Sequence, residues 1–375
     1  MTDFVPESTE ELTRIVASAA ADREPLEILG NGTKRTMGRP VAARHTLSTS
    51  SLRGVTLYEP EELVLTARAG TPLSAIESLL AEHNQQLAFE PPHWGEQTIG
   101  GIVATGLSGP RRIQAGAVRD HLLGFGAVNG RGEIFKSGGR VVKNVTGYDL
   151  SKLMTGSFGT LAVLSEVTLK VLPRPEARAT LVLKGKTARQ ATALFREALA
   201  MPLDITGAAW VPSFNGESVA ALRLEGFADS VADRAASLQR SFGVSIAGPE
   251  FEDFWAQVRD VAFLDSAPCL WRVSVPPGSG ADLLEAMNTP NAFLDWGGGL
   301  AWLEAPNENP QAEKLRALTA RSGGHATLLR AGAEFRATLD VFQPQPAALA
   351  ALTGRVKDSF DPLRILNPGR MYAGI

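Results

Sequence analysis

The sequence predicts an α+β protein with two domains and a short closing segment. Its 375 residues, of which 44% are hydrophobic and 21% are charged, are enough for two separate cores, since domains run to roughly 100–200 residues. Helical and strand-type periodicities both occur along the chain, and Pro173-Arg174-Pro175 is the first clear boundary between them. We therefore expect domains at residues 1–175 and 176–344, while residues 345–375 are too few to form a third.

Local signals define the elements of the first domain. Ser8-Thr9-Glu10-Glu11 has the pattern of a capping box, so a helix begins there. Thr71 as N-cap and Pro72 at the first helical position predict a second helix, and Asn129-Gly130-Arg131-Gly132 predicts a hairpin turn. Apolar runs and alternation predict the strands Leu26–Leu29, Leu63–Ala69, Leu122–Val128, Glu133–Lys136 and Leu161–Leu172.

Beyond the prolines, the order strand, helix, two strands, helix occurs twice. The first set comprises Thr180–Leu183, Ala188–Ala200, Gly207–Val211, Val219–Leu224 and Ser230–Phe242. The second set comprises Leu270–Val275, Gly280–Met287, Ala292–Trp296, Leu300–Glu304 and Gln311–Ser322, and the strand His325–Arg330 follows it. This duplicated β-α-β-β-α order predicts one antiparallel sheet with helices on one face. A last helix is expected at Ala347–Phe360.

Charge and cysteine content exclude several classes of protein. The formal net charge is −3 and no long basic block occurs, so we expect no nucleic-acid partner. No run approaches about 18 uninterrupted apolar residues, and Met1–Glu7 lacks the basic and apolar regions of a signal peptide. We therefore expect a cytoplasmic protein that meets a membrane at most indirectly, through partners. The single cysteine, Cys269, lies in apolar sequence and is interpreted as buried.

Two glycine-dense segments, Leu29–Arg35 and Thr98–Gly106, are the most informative part of the sequence. Glycines let backbone N–H groups approach a phosphate without interference from side chains, so the pair predicts a diphosphate held between two loops. Taken singly, each segment has an ordinary alternative, a tight turn for the first and close packing for the second. Arg35 stands where a dinucleotide-binding fingerprint needs its third glycine, and Thr180 stands where Gly185-Lys186-Thr187 would need the first glycine of a P-loop.

Several motifs together resemble a known family. They are the first glycine loop, Ala69-Gly70-Thr71-Pro72-Leu73, Thr98-Ile99-Gly100-Gly101, Arg119–Gly124, Asn144–Leu150, Gly156–Leu161 and the terminal Asn367-Pro368-Gly369-Arg370. This set looks like the PCMH-type FAD-binding domain of the vanillyl-alcohol oxidase superfamily, whose closing segment returns to that domain. Together with the short chain, Lys143–Leu153 looks most like the FAD-binding second subunits of bacterial glycolate oxidases. The resemblance implies a two-subdomain FAD-binding domain followed by a cap domain with the antiparallel sheet.

The resemblance also implies where FAD binds. Backbone amides of Gly30, Asn31, Gly32, Thr33 and Lys34 would hold the diphosphate, and Gly159, Thr160 and Val163 would lie against the adenine end. A further set of residues would line the flavin and make the second contact to the diphosphate, namely Thr98, Gly100, Gly101, Thr105, Gly106 and Gly109. Neither His nor Cys occurs in the two glycine segments, so we expect non-covalent FAD, with His93 as the nearest candidate for an attachment point.

The function implied by the resemblance is FAD-dependent oxidation of a small 2-hydroxy acid, glycolate, in a complex with a catalytic flavoprotein subunit and an iron–sulfur subunit. The alternatives are a stand-alone FAD oxidase or dehydrogenase for another hydroxyl substrate, and a non-catalytic electron-transfer or assembly subunit. The chain lacks the HxxxGDGNxH-type segment that the catalytic subunit of glycolate oxidase shares with related D-lactate dehydrogenases. Its five histidines are scattered, and Phe158 stands where relatives usually carry Glu. We therefore assign no catalytic base and no metal.

Two features near these motifs receive ordinary interpretations. Arg111-Arg112 follows Gly109-Pro110 and is read as a solvated pair in a loop, with contact to a flavin as the alternative. Trp296 and Trp302 flank three glycines, and we expect their side chains to pack together across a hairpin.

Overall fold

The computed structural model describes residues 2–139 and 147–375, and they divide into two compact units. The first unit contains residues 2–107, 116–139, 147–173 and 344–375, and the second contains residues 108–115 and 174–343. Residues 108–115, which lie inside the first domain expected from the sequence, group with the second unit. No helix in the described ranges is both long and apolar enough to cross a bilayer.

Helices and strands are numbered along the chain. Up to Pro173 they are β1 (Thr2–Phe4), α1 (Thr9–Asp22), β2 (Leu26–Leu29), β3 (His45–Ser48), β4 (Val55–Glu59), β5 (Val64–Arg68), α2 (Leu73–Glu82), β6 (Gln85–Gln86), α3 (Ile99–Thr105), α4 (Arg112–Ala115), α5 (Val118–His121), β7 (Leu122–Asn129), β8 (Ile134–Gly138), α6 (Leu150–Met154), β9 (Ala162–Lys170) and β10 (Leu172–Pro173). From Ala177 onward they are β11 (Ala177–Lys184), α7 (Ala188–Leu199), β12 (Ile205–Phe214), β13 (Glu217–Gly226), α8 (Ala228–Phe242), β14 (Ser245–Ile246), α9 (Phe254–Asp260), β15 (Cys269–Ser274), α10 (Gly280–Met287), β16 (Ala292–Asp295), β17 (Leu300–Ala305), α11 (Ala312–Ser322), β18 (His325–Arg330), α12 (Ala333–Thr338) and α13 (Ala347–Phe360).

The first unit is built on two main sheets. A parallel sheet has the order β1-β3-β2, and an antiparallel sheet has the order β4-β5-β9-β7-β8. Leu12 and Val16 of α1 pack with Leu26 of β2 in one core, which the terminal segment completes with Ile365 and Leu366. A second core lies between α2, α3 and the antiparallel sheet. The predicted hairpin is confirmed, because β7 and β8 pair antiparallel around the turn that follows Asn129.

The second unit contains one eight-stranded antiparallel sheet, in the order β14-β11-β13-β12-β16-β17-β15-β18. When the second half is read in reverse, the two halves have the same strand order, β11-β13-β12 and β15-β17-β16. They meet where Trp210 of β12 pairs with Leu294 of β16. Helices α7, α8, α10 and α11 contribute to one core on one face of this sheet. The predicted antiparallel sheet with helices on one face is therefore confirmed.

Several local predictions need correction. The segment after Thr98 is the helix α3, although its Gly-Gly pair led us to expect a loop. The residue types at both ends of α3 are nevertheless typical of helix boundaries. Thr98 caps the first turn, and Gly106 ends the helix at φ +65°. Thr71 does not cap α2, which begins after Pro72. The Thr71 hydroxyl instead donates to the Arg68 carbonyl at 2.7 Å.

A buried ion pair fixes the terminal segment to the first unit. Lys357 of α13 is fully buried, and its ammonium donates to the Asp361 carboxylate at 2.7 Å and to the carbonyls of Thr160 and Leu366 at 2.6 Å and 2.9 Å. Asp361 also accepts from the backbone N–H groups of Ile365 and Leu366. Every ammonium proton therefore has an acceptor, and the carboxylate has donors besides the lysine.

Removal of Lys357 should destabilise the first unit strongly. Lys357→Met leaves the buried Asp361 carboxylate without its counter-ion, and loss of one partner of a buried pair costs about 3–5 kcal/mol. Asp358→Asn on the same helix is the matched control, because the Asp358–Arg364 pair is about half exposed and such pairs contribute below about 1 kcal/mol. Urea unfolding followed by circular dichroism measures both changes, and equal small effects would contradict the assigned role.

Candidate functional site

A cleft in the first unit brings the two glycine segments together. It encloses about 780 Å³, including space open to solvent. Its walls come from the end of β2 and the loop that follows, from α3, and from the loop before β9, and the terminal segment adds two side chains. The lining residues are Glu27, Ile28, Leu29, Gly30, Asn31, Gly32, Thr33, Lys34, Arg35, Thr49, Ala69, Thr98, Gly100, Gly101, Ala104, Thr105, Ser157, Phe158, Gly159, Ala162, Leu164, Asn367 and Arg370.

The loop after β2 presents backbone donors to the cleft. The N–H groups of Asn31, Gly32, Thr33 and Lys34 donate to no other residue that the structure describes. Gly32 has φ +76°, and a Cβ added there would meet no atom within 4 Å. Consecutive backbone N–H groups with no side chain over them form an anion-binding concavity. The loop therefore fits an anionic ligand.

The loop and the segment before α3 are held together by side chains. The Asn31 amide donates to the Glu96 carbonyl at 2.7 Å, and the Lys34 ammonium donates to the Gln97 side-chain oxygen. A Cβ on Gly30 would overlap the Thr98 hydroxyl, so only glycine permits this approach. The two segments therefore form adjacent walls of one cleft.

The cleft carries an excess of positive charge. Among its lining residues, Lys34, Arg35 and Arg370 are cations and Glu27 is the one carboxylate, which leaves a surplus of two positive charges. Glu27 pairs with Arg35 and lies 3.5 Å from Arg370. Burial lowers the pKa of Lys34 to about 8. The surplus matches a diphosphate, which carries two negative charges.

The terminal segment contributes two cleft residues that the sequence analysis did not assign. Asn367 accepts from the Ile28 N–H at 2.8 Å and donates to the Phe158 carbonyl at 2.7 Å, so it joins β2 to the loop before β9. Arg370 donates to the Lys34 carbonyl at 3.0 Å. The signal for both was the Asn367-Pro368-Gly369-Arg370 motif, which pointed to the segment but not to a role for either side chain.

Ten of the fourteen predicted cofactor residues line this cleft, namely Gly30, Asn31, Gly32, Thr33, Lys34, Thr98, Gly100, Gly101, Thr105 and Gly159. The other four do not line it. Gly106 ends α3, Val163 packs in the core with Leu12, and the Thr160 hydroxyl donates to the Ser157 carbonyl. Gly109 belongs to the second unit, where its carbonyl accepts from the Trp296 indole at 3.0 Å.

Other residues singled out from the sequence lie elsewhere. His93 pairs with Glu77 at 3.0 Å and is not among the cleft-lining residues. Cys269 is buried as expected, and burial, followed by the charge of Glu304, raises the pKa of its thiol to about 12. Within residues 2–139 and 147–375, no group of His, Cys, Asp and Glu is arranged to hold a metal. The motif residues Asn144–Thr146 lie outside the described ranges.

The interpretation of Arg111-Arg112 as a solvated pair is wrong. Arg111 is buried and makes a two-pronged ion pair with Glu225, at 2.9 Å and 3.0 Å. Although burial alone would raise the pKa of Glu225, the Arg111 hydrogen bond and the charges of Arg223, Arg111 and Arg178 hold it well below its usual range. The Arg112 guanidinium lies over the Trp296 ring, 4.2 Å from its centroid. These contacts explain why residues 108–115 group with the second unit.

Comparison with known proteins agrees with a dinucleotide cleft. The family model described as "FAD binding domain" matches residues 3–138. Over 369 residues the chain is 40% identical to the glycolate oxidase subunit GlcE of Escherichia coli (strain K12), covering 97% of each chain. The fold and the cleft thus define a FAD-dependent oxidoreductase of the PCMH type. Within that class, the chain belongs to the family of the glycolate oxidase subunit GlcE.

Two more distant similarities support the same class. The chain is 30% identical over 182 residues to the glycolate oxidase subunit GlcD of Bacillus subtilis (strain 168), which spans 48% of this chain and 38% of that protein. The structure of 4-ethylphenol oxidase from Gulosibacter chungangensis superposes with a TM-score of 0.73 at 13% identity, covering 99% of this chain and 89% of that one. The latter likeness concerns the fold alone. The predicted superfamily, α+β fold class, oxidoreductase class and FAD cofactor are confirmed.

Proposed function

We propose that this chain is the FAD-binding subunit of a glycolate oxidase complex and supports oxidation of glycolate to glyoxylate. The observation that carries the proposal is the 40% identity to a glycolate oxidase subunit over 97% of both chains. At that level and coverage, the similarity includes both units, whereas the match to the FAD binding domain alone ends at residue 138. Conversion of glycolate to glyoxylate releases two electrons and two protons, so a redox cofactor must take up the electrons.

The partners belong to the same proposal. We infer a catalytic flavoprotein subunit and an iron–sulfur subunit, to which electrons pass from glycolate. Iron–sulfur clusters require several thiolate ligands, whereas this chain has one cysteine, Cys269. That cysteine is fully buried, and its raised thiol pKa disfavours the thiolate form. A cluster in the complex would therefore be held by another chain.

The residues of the cleft fit FAD, and we propose that they bind it without a covalent bond. The N–H groups of Asn31 to Lys34 would donate to the diphosphate, and Lys34 and Arg370 would balance its charge. Small residues on α3, Gly100 and Gly101, would allow the ligand close to the backbone. FAD, when bound, supplies the two-electron acceptor of the reaction. Neither His nor Cys lines the cleft, which favours non-covalent attachment.

An absorption spectrum of the purified, FAD-containing chain under anaerobic conditions tests the proposed function. With glycolate, we expect flavin bleaching that is complete only when the partner flavoprotein and iron–sulfur subunits are present. Bleaching by glycolate with the chain alone would favour a stand-alone dehydrogenase. Absence of bleaching by glycolate in the reconstituted complex would contradict the proposal, and bleaching by another hydroxyl substrate would redirect it.

Gly32→Val should abolish FAD retention. A branched side chain resists the positive φ of this residue and would project into the cleft beside the unpaired N–H groups. We expect loss of the flavin absorbance from the purified chain, while the second unit keeps its near-ultraviolet circular dichroism. In the wild-type chain, denaturation should release all the flavin into the filtrate.

Gly185→Val is the matched control for this experiment. Gly185 has φ +70° and nothing within 4 Å of an added Cβ, yet it belongs to the second unit and is not among the cleft-lining residues. The control therefore imposes the same backbone strain outside the cleft, and it should remain yellow. A Gly32→Val protein with the wild-type flavin content would refute the placement of the diphosphate.

Affinity for FAD should fall as pH rises through about 8, the pKa of buried Lys34. Protonated Lys34 attracts the diphosphate and neutral Lys34 does not, so binding is strongest below this pKa and weakens above it. Titration of the FAD-depleted chain from pH 6.5 to 9.5 should show a loss on the order of tenfold. Lys34→Arg keeps its charge throughout and should lose this dependence. Parallel pH profiles for the two proteins would exclude Lys34 as the titrating group.

A further inference from the structure

The face of the eight-stranded sheet opposite its helices carries charged and aromatic side chains. Trp271 and Val273 of β15 lie in the helix-covered core, so Arg272 between them points to the opposite face. Trp302 of β17 is its cross-strand neighbour, and Phe293 of β16 is the next residue in the same row. An arginine therefore sits in a row of large aromatic residues within the second unit.

Arg272 differs in its hydrogen bonds from Arg223, another arginine of this face. Arg223 is fully buried, donates to the Thr206 hydroxyl and carbonyl at 3.2 Å and 3.1 Å, and lies 3.6 Å from the Glu225 carboxylate. The enclosed Nε of Arg272 has no acceptor among the residues that the structure describes. An enclosed N–H without an acceptor destabilises a fold, so Arg223 has the environment of a structural arginine and Arg272 does not.

Arg272 is held by aromatic rings instead of acceptors. Its guanidinium lies 5.0 Å from the centroid of the Trp296 ring and 5.9 Å from that of Trp302. Arg112 contacts the same Trp296 ring at 4.2 Å. Aromatic faces attract a cation, but they leave the directional N–H donors of the guanidinium available. Two guanidiniums thus share one indole ring.

The charges around Trp296 do not balance. Burial lowers the pKa of Arg272 to about 10, the nearby charge of Arg112 lowers it too, and the Asp295 carboxylate opposes both effects. Both arginines stay protonated at neutral pH, so two cations face one carboxylate. Desolvation of the His325 ring, followed by the charges of Arg272 and Arg112, lowers the pKa of His325 and favours its neutral form. Among the described residues, the cluster of Arg272, Arg112, Asp295 and His325 therefore has a surplus of one positive charge.

We propose that Arg272 and Arg112 form a binding site for a small carboxylate monoanion within the second unit. A carboxylate accepts paired hydrogen bonds from a guanidinium, and its single charge equals the surplus. As a whole residue Arg272 is partly exposed, although its Nε is enclosed. The identification of this carboxylate as a 2-hydroxy acid rests on the proposed function, whereas the site itself does not.

Calorimetric titration of the FAD-containing chain with methoxyacetate tests the site. This anion keeps the carboxylate but has no hydroxyl proton to lose, so its binding is separate from turnover. We expect it to bind, and we expect its neutral counterpart 2-methoxyethanol not to bind. Arg272→Met should weaken the binding of methoxyacetate by about tenfold or more, and Arg272→Lys should restore part of it.

Arg178→Met is the matched control, because Arg178 pairs with Glu225 and the Arg178 side chain is half exposed. The affinity of this variant for methoxyacetate should equal that of the wild type. If Arg272→Met does not fold, as judged by circular dichroism, Arg112→Met should give the same loss of affinity. No binding by the wild type, unchanged affinity in the folded variants, or stronger binding of inorganic phosphate would overturn the carboxylate site.

Flavin bleaching by glycolate separates this proposal from the proposed function. If methoxyacetate binding depends on Arg272 but glycolate does not bleach the flavin in the reconstituted complex, the carboxylate site stands and the proposed function is wrong. If glycolate still bleaches the flavin in the Arg272→Met complex with an unchanged KM, the proposed function stands. The Arg272 site would then not be the site that binds the substrate glycolate.

Discussion

The ion pair between Lys357 and Asp361 joins parts of the first unit that are distant in sequence. Through the lysine ammonium, α13 is connected to the Thr160 carbonyl just before β9 and to the Leu366 carbonyl. Leu366 in turn forms a parallel bridge with Leu26 of β2, and Asn367 bonds to Ile28 on the same strand. The terminal segment therefore supports the strand from which the first glycine loop begins, and the shape of the cleft depends on this connection.

Polar groups are used in three ways in this molecule. Lys357 and Glu225 are buried and fully partnered, which stabilises the local structure. The N–H groups of Asn31 to Lys34 in the loop after β2 have no partner among the described residues, so they remain available as donors to an anion. Arg272 lies between these cases, because aromatic rings contact its guanidinium while its Nε has no acceptor among the described residues. Among the described residues, the loop after β2 and Arg272 thus each present donors that a ligand would satisfy.

Much of the architecture was predictable from the sequence. The strands and helices of the second unit alternate in long, regular patterns, and the strand order of its two halves agrees with the duplication inferred from element order alone. The short strands β1, β3 and β4 were missed because three to five residues are too few to display a period. Helix α3 was missed because two glycines lower helix propensity in only seven residues.

The candidate site was predictable where backbone conformation requires particular residues. A positive φ or a close approach of two segments requires glycine, so such positions can be recognised in the sequence. Ten of the fourteen predicted cofactor residues line one cleft. The placements of Arg111, Arg370 and Asn367 depend on partners more than 100 positions away, such as Glu225 for Arg111, and no local pattern encodes such contacts. The same is true of Arg272, whose neighbours Trp296 and Arg112 come from separate segments.

The discontinuous first unit has a consequence for biosynthesis. Residues 344–375 belong to this unit although residues 174–343 precede them in the second one, and during translation the N-terminal part of a chain is available to fold first. The cleft lacks Asn367 and Arg370 until the ribosome has synthesised the residues that follow the second unit. The second unit, by contrast, is formed by one continuous stretch, residues 174–343, together with residues 108–115. A nascent chain that ends before α13 therefore lacks Ile365 and Leu366 of the apolar core and both of these cleft residues.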